Sequence, residues 1–116
     1  MHSDTSYTRG LFAEFWARMY LRLHGYRILC SRYVTGRYTN RAEIDIIAKR
    51  GNTLTFIEVK QRKTLECAWD AITRSQIARL RRAAETYISR MAWQGDARFD
   101  VIIVCGWRIH HIKNAI

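Results

Sequence analysis

Two apolar, β-branched runs, Glu43–Lys49 and Leu54–Lys60, flank the segment Arg50-Gly51-Asn52-Thr53. Glycine and asparagine between alternating strands predict a β-hairpin. With Gly51-Asn52 as a two-residue turn, Arg50 faces Thr53 and Asp45 comes opposite Glu58; a four-residue loop keeps that register, whereas a three-residue loop shifts it by one. The period of two puts Glu58 and Lys60 on one face with Leu54 and Phe56, while Ile57 and Val59 take the other. Asp45 reaches the Glu58 side from across the ladder.

Charged groups so placed do not serve a sheet that only has to be stable. Two carboxylates about 5 Å apart repel by roughly 3 kcal/mol at an effective dielectric near 20, whereas strand preferences span only about 1 kcal/mol. A divalent cation offsets such repulsion, since Mg²⁺ is held by one or two carboxylates with waters and phosphate oxygens. Lys60 then stands where it can orient and help deprotonate a water attacking a phosphodiester. On spacing alone, a simple pairing of Lys60 with Glu58 or Asp45 at a solvated face explains the same pattern.

The rest of the chain predicts the elements around this hairpin. Leu11, Phe12, Phe15, Trp16, Met19 and Leu23 form one helical stripe ending at Gly25. Glu14 lies about 140° from the centre of that stripe on the 3.6-residue period, four residues before Arg18 and so spaced for an ion pair. A short strand is expected over Tyr26–Arg32 and a loop or hairpin end over Arg32–Arg41. Thr73-Arg-Ser-Gln76 reads as a capping box opening a helix to about Met91, with Ile77, Leu80, Ala84, Tyr87, Ile88 and Met91 inward. Strands follow over Phe99–Cys105, where Val101–Val104 is apolar enough to be buried on both faces, and over Arg108–Lys113. Adjacent His110 and His111 face opposite sides of their strand, and no role follows for them. A helix, three strands, a helix and two strands predict an α/β sandwich around a mixed sheet, as one domain over residues 1–116.

Composition narrows the partner. The 116 residues carry 20 Lys plus Arg against 10 Asp plus Glu, a net charge of +10, and sixteen of the basic residues are Arg. Guanidinium forks fit phosphate oxygens, so nucleic acid is the expected partner; no stretch approaches the ~20 apolar residues of a transmembrane helix. Arg32, Arg37 and Arg41, interleaved with Tyr33 and Tyr38, suit phosphate contacts and base stacking, although a solvated surface loop has the same composition. Gln76 is a cap that could also contact substrate. The polar N-terminus and the charges within the first helix argue against a signal peptide and for the cytoplasm. Cys30, Cys67 and Cys105 have no zinc or redox spacing and read as small apolar fillers.

Glu14, then Glu43-Ile-Asp45-Ile-Ile-Ala, then Phe56-Ile-Glu58-Val-Lys60 resemble the PD-(D/E)XK nuclease signature. Gly10, His24-Gly-Tyr26, Arg79-Leu80, Arg98-Phe-Asp100-Val and His111-Ile-Lys-Asn-Ala-Ile116 extend a closer resemblance to the YraN-like family of bacterial proteins. Those proteins are regarded as endonucleases similar to archaeal Holliday junction resolvases. The resemblance implies a restriction-endonuclease-like αβββαβ core and Mg²⁺ (or Mn²⁺) held by Asp45, Glu58 and the Val59 carbonyl. It further implies Lys60 as the catalytic lysine, Glu14 completing the acidic cluster, and hydrolysis of DNA, with branched DNA and a homodimer both compatible. A non-catalytic nucleic-acid-binding module on the same fold is the alternative, and a protein adaptor a third reading.

Overall fold

A computed structural model describes residues 2–36 and 41–116. The elements are α1 (His2–Leu23), β1 (Arg27–Thr35), β2 (Ala42–Arg50), β3 (Thr53–Gln61), α2 (Leu65–Asp70), α3 (Arg74–Met91), β4 (Asp96–Cys105) and β5 (Arg108–Ile112). The strands form one sheet in chain order, antiparallel except for the parallel pair β3 and β4, whose crossover carries α2 and α3. The sheet is therefore mixed and flanked by helices, as expected. The short helix α2 was not anticipated from the sequence. It is opened by Thr64, whose hydroxyl accepts from the Cys67 amide, and buries only Ala68.

The hairpin has the expected register, with Arg50 facing Thr53 and Ile46 facing Ile57. Its two faces separate as the period of two requires. Leu54 and Phe56 join Leu80, Ala83, Ala84 and Tyr87 of α3, while Ile57 and Val59 pack with Ala13, Ala17 and Leu21 of α1. On β4, Val101 to Val104 are fully buried.

The first helix packs on a different face from the one its large apolar residues mark. Ala13, Ala17 and Leu21 are the buried line, a spacing of four, and the two alanines let the backbone approach the sheet closely. Leu11, Phe12, Phe15 and Leu23 are exposed instead. On the 3.6-residue period the buried line lies about 160° from the centre of the large apolar stripe and only about 60° from Glu14. Glu14 is thereby brought to the sheet, where it accepts from Arg32 Nε at 2.9 Å rather than pairing with Arg18.

Two boundaries shift by three residues. β1 continues to Thr35 because it pairs with β2 up to Ala42, so Arg32 and Tyr33 belong to a strand rather than a loop. β4 starts at Asp96, whose amide donates to Asn52 O in the β2–β3 turn at 2.9 Å. Gly95 permits that approach, since a Cβ there would lie 2.6 Å from the same oxygen. In α3, Met91 is exposed at the C-terminal end; Leu80, Ala83, Ala84 and Tyr87 are buried, and Ile88 packs against them partly buried. Of the cysteines, all free, Cys30 and Cys105 are partly buried but Cys67 is exposed and fills no core. No helix among the described residues is long and apolar enough to cross a membrane.

Candidate active site

Midway along β1 and β2, both strands switch faces. Ile44 packs toward α3 while Ile46, two residues on, packs toward α1, which a regular strand cannot do. Across the ladder Ser31 pairs with Ile46 and Tyr33 with Ile44, so Arg32 stands opposite Asp45. Arg32 has φ of 55°, a left-handed conformation that is costly for a non-glycine residue. This paired irregularity ends the β2–β3 ladder after Ile46 and Ile57. Asp45 then turns its side chain to β3, where Oδ2 accepts the Val59 amide at 2.8 Å.

Glu58 is 6% exposed. Its Oε2 lies 3.2 Å from Lys60 Nζ and accepts from Gln76 Nε2 at 2.6 Å. The capping box is thus half made. Thr73 Oγ1 accepts the Gln76 amide, but the Gln76 side chain reaches the sheet instead of returning to the helix start.

Electrostatics mark this spot. Burial first, then the charge of Glu58, pushes the Asp45 carboxyl well above its ordinary value, against the opposing Val59 hydrogen bond. Burial also raises Glu58, with Lys60 as the main opposing influence. Arg41, Glu43, Asp45, Glu58, Gln76 and Arg79 line a recess of about 280 Å³ on the α3 side. On the α1 side a cleft of about 580 Å³ is lined by α1 from Arg9 to Glu14 and by β3 and its continuation from Val59 to Lys63.

The structure therefore brings Asp45, Glu58, Val59, Lys60 and Gln76 together. Glu14 lines the adjoining cleft and is engaged by Arg32, and no group of three or more acidic, His or Cys side chains suited to a metal forms among the described residues. Half-buried Asp45, held against the Val59 backbone, and buried Glu58 still fit the donor set of Mg²⁺, which completes its shell with water. Arg32 stands beside the site as the partner of Glu14, Arg41 lies 3.5 Å from Glu43, and Arg37 and Tyr38 fall outside the described residues. The sequence reading missed Arg79 and Glu43 as lining residues. The spacing of three from Gln76 to Arg79 was the available signal for the first.

It also missed a buried network midway along β4, where Asp100 pairs with Ile57. Asp100, fully buried, accepts from Arg98 through both oxygens at 2.8 Å and from the Asn114 amide at 2.9 Å. His111 Nε2 lies 2.6 Å from its Oδ2, and Arg98 also donates to the Tyr26 hydroxyl. His111 thus has a structural partner that was not anticipated.

A mixed sheet between helices, with a carboxylate pair and a lysine where its hairpin splays, defines an α/β domain compatible with a restriction-endonuclease-like core. The chain belongs to the uncharacterised protein family UPF0102, the YraN-like family, whose profile matches residues 13–104. It is 39% identical to a UPF0102 protein of Paramagnetospirillum magneticum over 110 residues, 92% of this chain and 85% of that one. It is also 41% identical to one of Mesorhizobium japonicum over 113 residues, 95% and 87% of the two chains. A UPF0102 protein of Rhizobium meliloti is 42% identical over 105 residues, 86% and 80% of the two chains.

Proposed function

We propose that the protein is a metal-dependent nuclease that hydrolyses DNA phosphodiester bonds. The observation that carries this reading is half-buried Asp45 beside buried Glu58 in a recess lined by Arg41 and Arg79, with Lys60, its Nζ 3.2 Å from Glu58, also lining the cleft of Arg9, Arg62 and Lys63. A bound Mg²⁺ or Mn²⁺ would supply charge stabilisation at the scissile phosphate. Asp45, Glu58 and the Val59 carbonyl would hold it, and the Val59 amide and Gln76 keep the two carboxylates oriented. Lys60 orients the attacking water, takes part in its deprotonation and offsets phosphate charge in the transition state. The net charge of +10 brings the polyanion to the surface.

A second reading, a binding module without catalysis, draws on the satisfaction of Glu58 by Lys60 and Gln76 within the protein itself. Incubation of single-stranded, duplex and branched DNA with the protein and Mg²⁺ or Mn²⁺ separates the two. Cleavage that disappears in chelator and in Asp45→Asn supports the nuclease. Binding of the same DNAs with no cleavage under any metal condition supports the module.

A further inference from the structure

The large apolar residues of α1 that are turned away from the sheet form a ledge with a neighbour. Trp107, at the β4–β5 turn, is 74% exposed and Phe15 is 51% exposed. The Trp107 ring meets Phe12 edge-to-face at 5.3 Å and Trp16 at 5.8 Å. Its carbonyl accepts from Trp16 Nε1 at 3.2 Å, which fixes the turn against the helix. Because β3 and β4 are parallel, Arg62 and Lys63 leave the same end of the sheet as Trp107, and the Arg62 amide donates to Val104 O. Arg9 lines the cleft and lies three residues before Phe12, on the neighbouring turn of the helix. The basic cleft and the aromatic ledge are thus continuous.

Charge decides what such a surface accepts. A second copy docking through a two-fold axis would set Arg18 and Arg22, which flank the ledge, against the same cations of its partner. Glu14, on another face of α1, is already held by Arg32. A duplex buries its bases in the stack and offers no ring faces to exposed aromatic side chains, whereas an unpaired strand offers both phosphates and bases.

We propose that the cleft and the ledge of Phe12, Phe15 and Trp107 form a track for a single, unpaired nucleic-acid strand, which passes Lys60, the close cation of Glu58. Bases stack on the ledge, and Arg9, Arg62 and Lys63 hold the phosphates. The substrate class of the proposed nuclease is then DNA with an unpaired segment, so the last step of this inference rests on that reading while strand binding does not.

Anisotropy in chelator, with labelled oligothymidylate of fifteen nucleotides, an abasic strand of the same length and a hairpin duplex, tests the track without any cleavage. Trp107→Ala should weaken oligothymidylate binding at least about fivefold, the lower end of what one stacked base contributes, and change duplex binding less than about twofold. Trp107→Phe keeps a ring and should restore most of the affinity. Equal weakening for duplex and oligothymidylate, undiminished binding by Trp107→Ala, or an abasic strand bound as tightly as oligothymidylate would each overturn the proposal. So would sedimentation showing a wild-type dimer that Trp107→Ala dissociates, because the ledge would then be an interface between copies. A wild type that binds the strand by these criteria but cuts no DNA would remove the nuclease reading and leave the track.

Discussion

Gln76 of α3 donates to Glu58 Oε2 at 2.6 Å, the same oxygen that Lys60 Nζ approaches to 3.2 Å. A residue that could close a helix cap instead fixes a buried carboxylate in the sheet. The helix start and the hairpin are thereby locked together at the point where the proposed chemistry occurs.

Removing that amide leaves Glu58 held by Lys60 alone among these two partners. Partners of metal-binding side chains are typically worth 10–100-fold in affinity, so Gln76→Ala should weaken Mn²⁺ binding at least about tenfold. Its cost to stability in chelator should stay within about 1.5 kcal/mol, the contribution of one hydrogen bond. Calorimetric Mn²⁺ titration and urea unfolding measure the two effects. Unchanged Mn²⁺ affinity would limit Gln76 to holding α3 on the sheet.

Asp45→Asn keeps an oxygen for the Val59 amide but removes the charge that burial and Glu58 oppose. In chelator the variant should melt at or above the wild-type temperature. Addition of Mg²⁺ or Mn²⁺ should raise the melting temperature of the wild type, by preferential binding to the folded state, and leave the variant where it was. Thermal scans with and without metal give both comparisons, and equal stabilisation of the two proteins would refute the site.

What the sequence made legible was local. The Gly51-Asn52 turn and the alternation of Leu54 to Lys60 set the hairpin register from Ile46–Ile57 to the turn, and Asp45 and Glu58, next beyond it, line one recess. The face of α1 was not legible, because it depends on how closely a helix can approach a sheet, and Ala13 and Ala17 win over larger side chains through that proximity. The reversal at Arg32 and Asp45 was hidden as well, since nothing local marks an arginine for a positive φ. His111 could have been placed. The pairing of Cys105 with Arg108 across the Gly106-Trp107 turn sets His111 opposite Ile102, one diagonal step from Asp100.

The Asp100 network has a pH signature. Burial alone would raise this carboxyl, but hydrogen bonds from His111, Arg98 and the Asn114 amide outweigh it and hold it down to about 2. A carboxyl lowered on folding contributes stability above its unfolded pKa and loses it as pH falls through the folded value. That contribution, on the order of 2 kcal/mol at one pKa unit per 1.36 kcal/mol, should therefore be intact at pH 6 and drain away between about pH 4 and pH 2. Urea unfolding across this range should show the loss in the wild type. Asp100→Asn should be strongly destabilised at pH 6, by about 3–5 kcal/mol as for other broken buried pairs, with a flatter acid limb. Parallel acid limbs in the two proteins would assign the acid sensitivity to other groups.

Lys60 separates enzyme from binding module. Its ammonium is the close cation of Glu58 and lines the cleft through which the strand is proposed to pass. Acting on the attacking water and on charge that develops in the transition state, it contributes mainly to the chemical step. Lys60→Ala should bind metal and DNA nearly as well as the wild type but cleave at least ~10²-fold more slowly, the lower end for one positioned acid–base group. Lys60→Arg should fail too, because a guanidinium stays protonated and is broader than the ammonium it replaces. Single-turnover cleavage with protein in excess isolates that step from binding and product release. Cleavage by Lys60→Ala at the wild-type rate would place the active site elsewhere, or trace the activity to a contaminant, since no other lysine lies within 4.0 Å of either site carboxylate among the described residues.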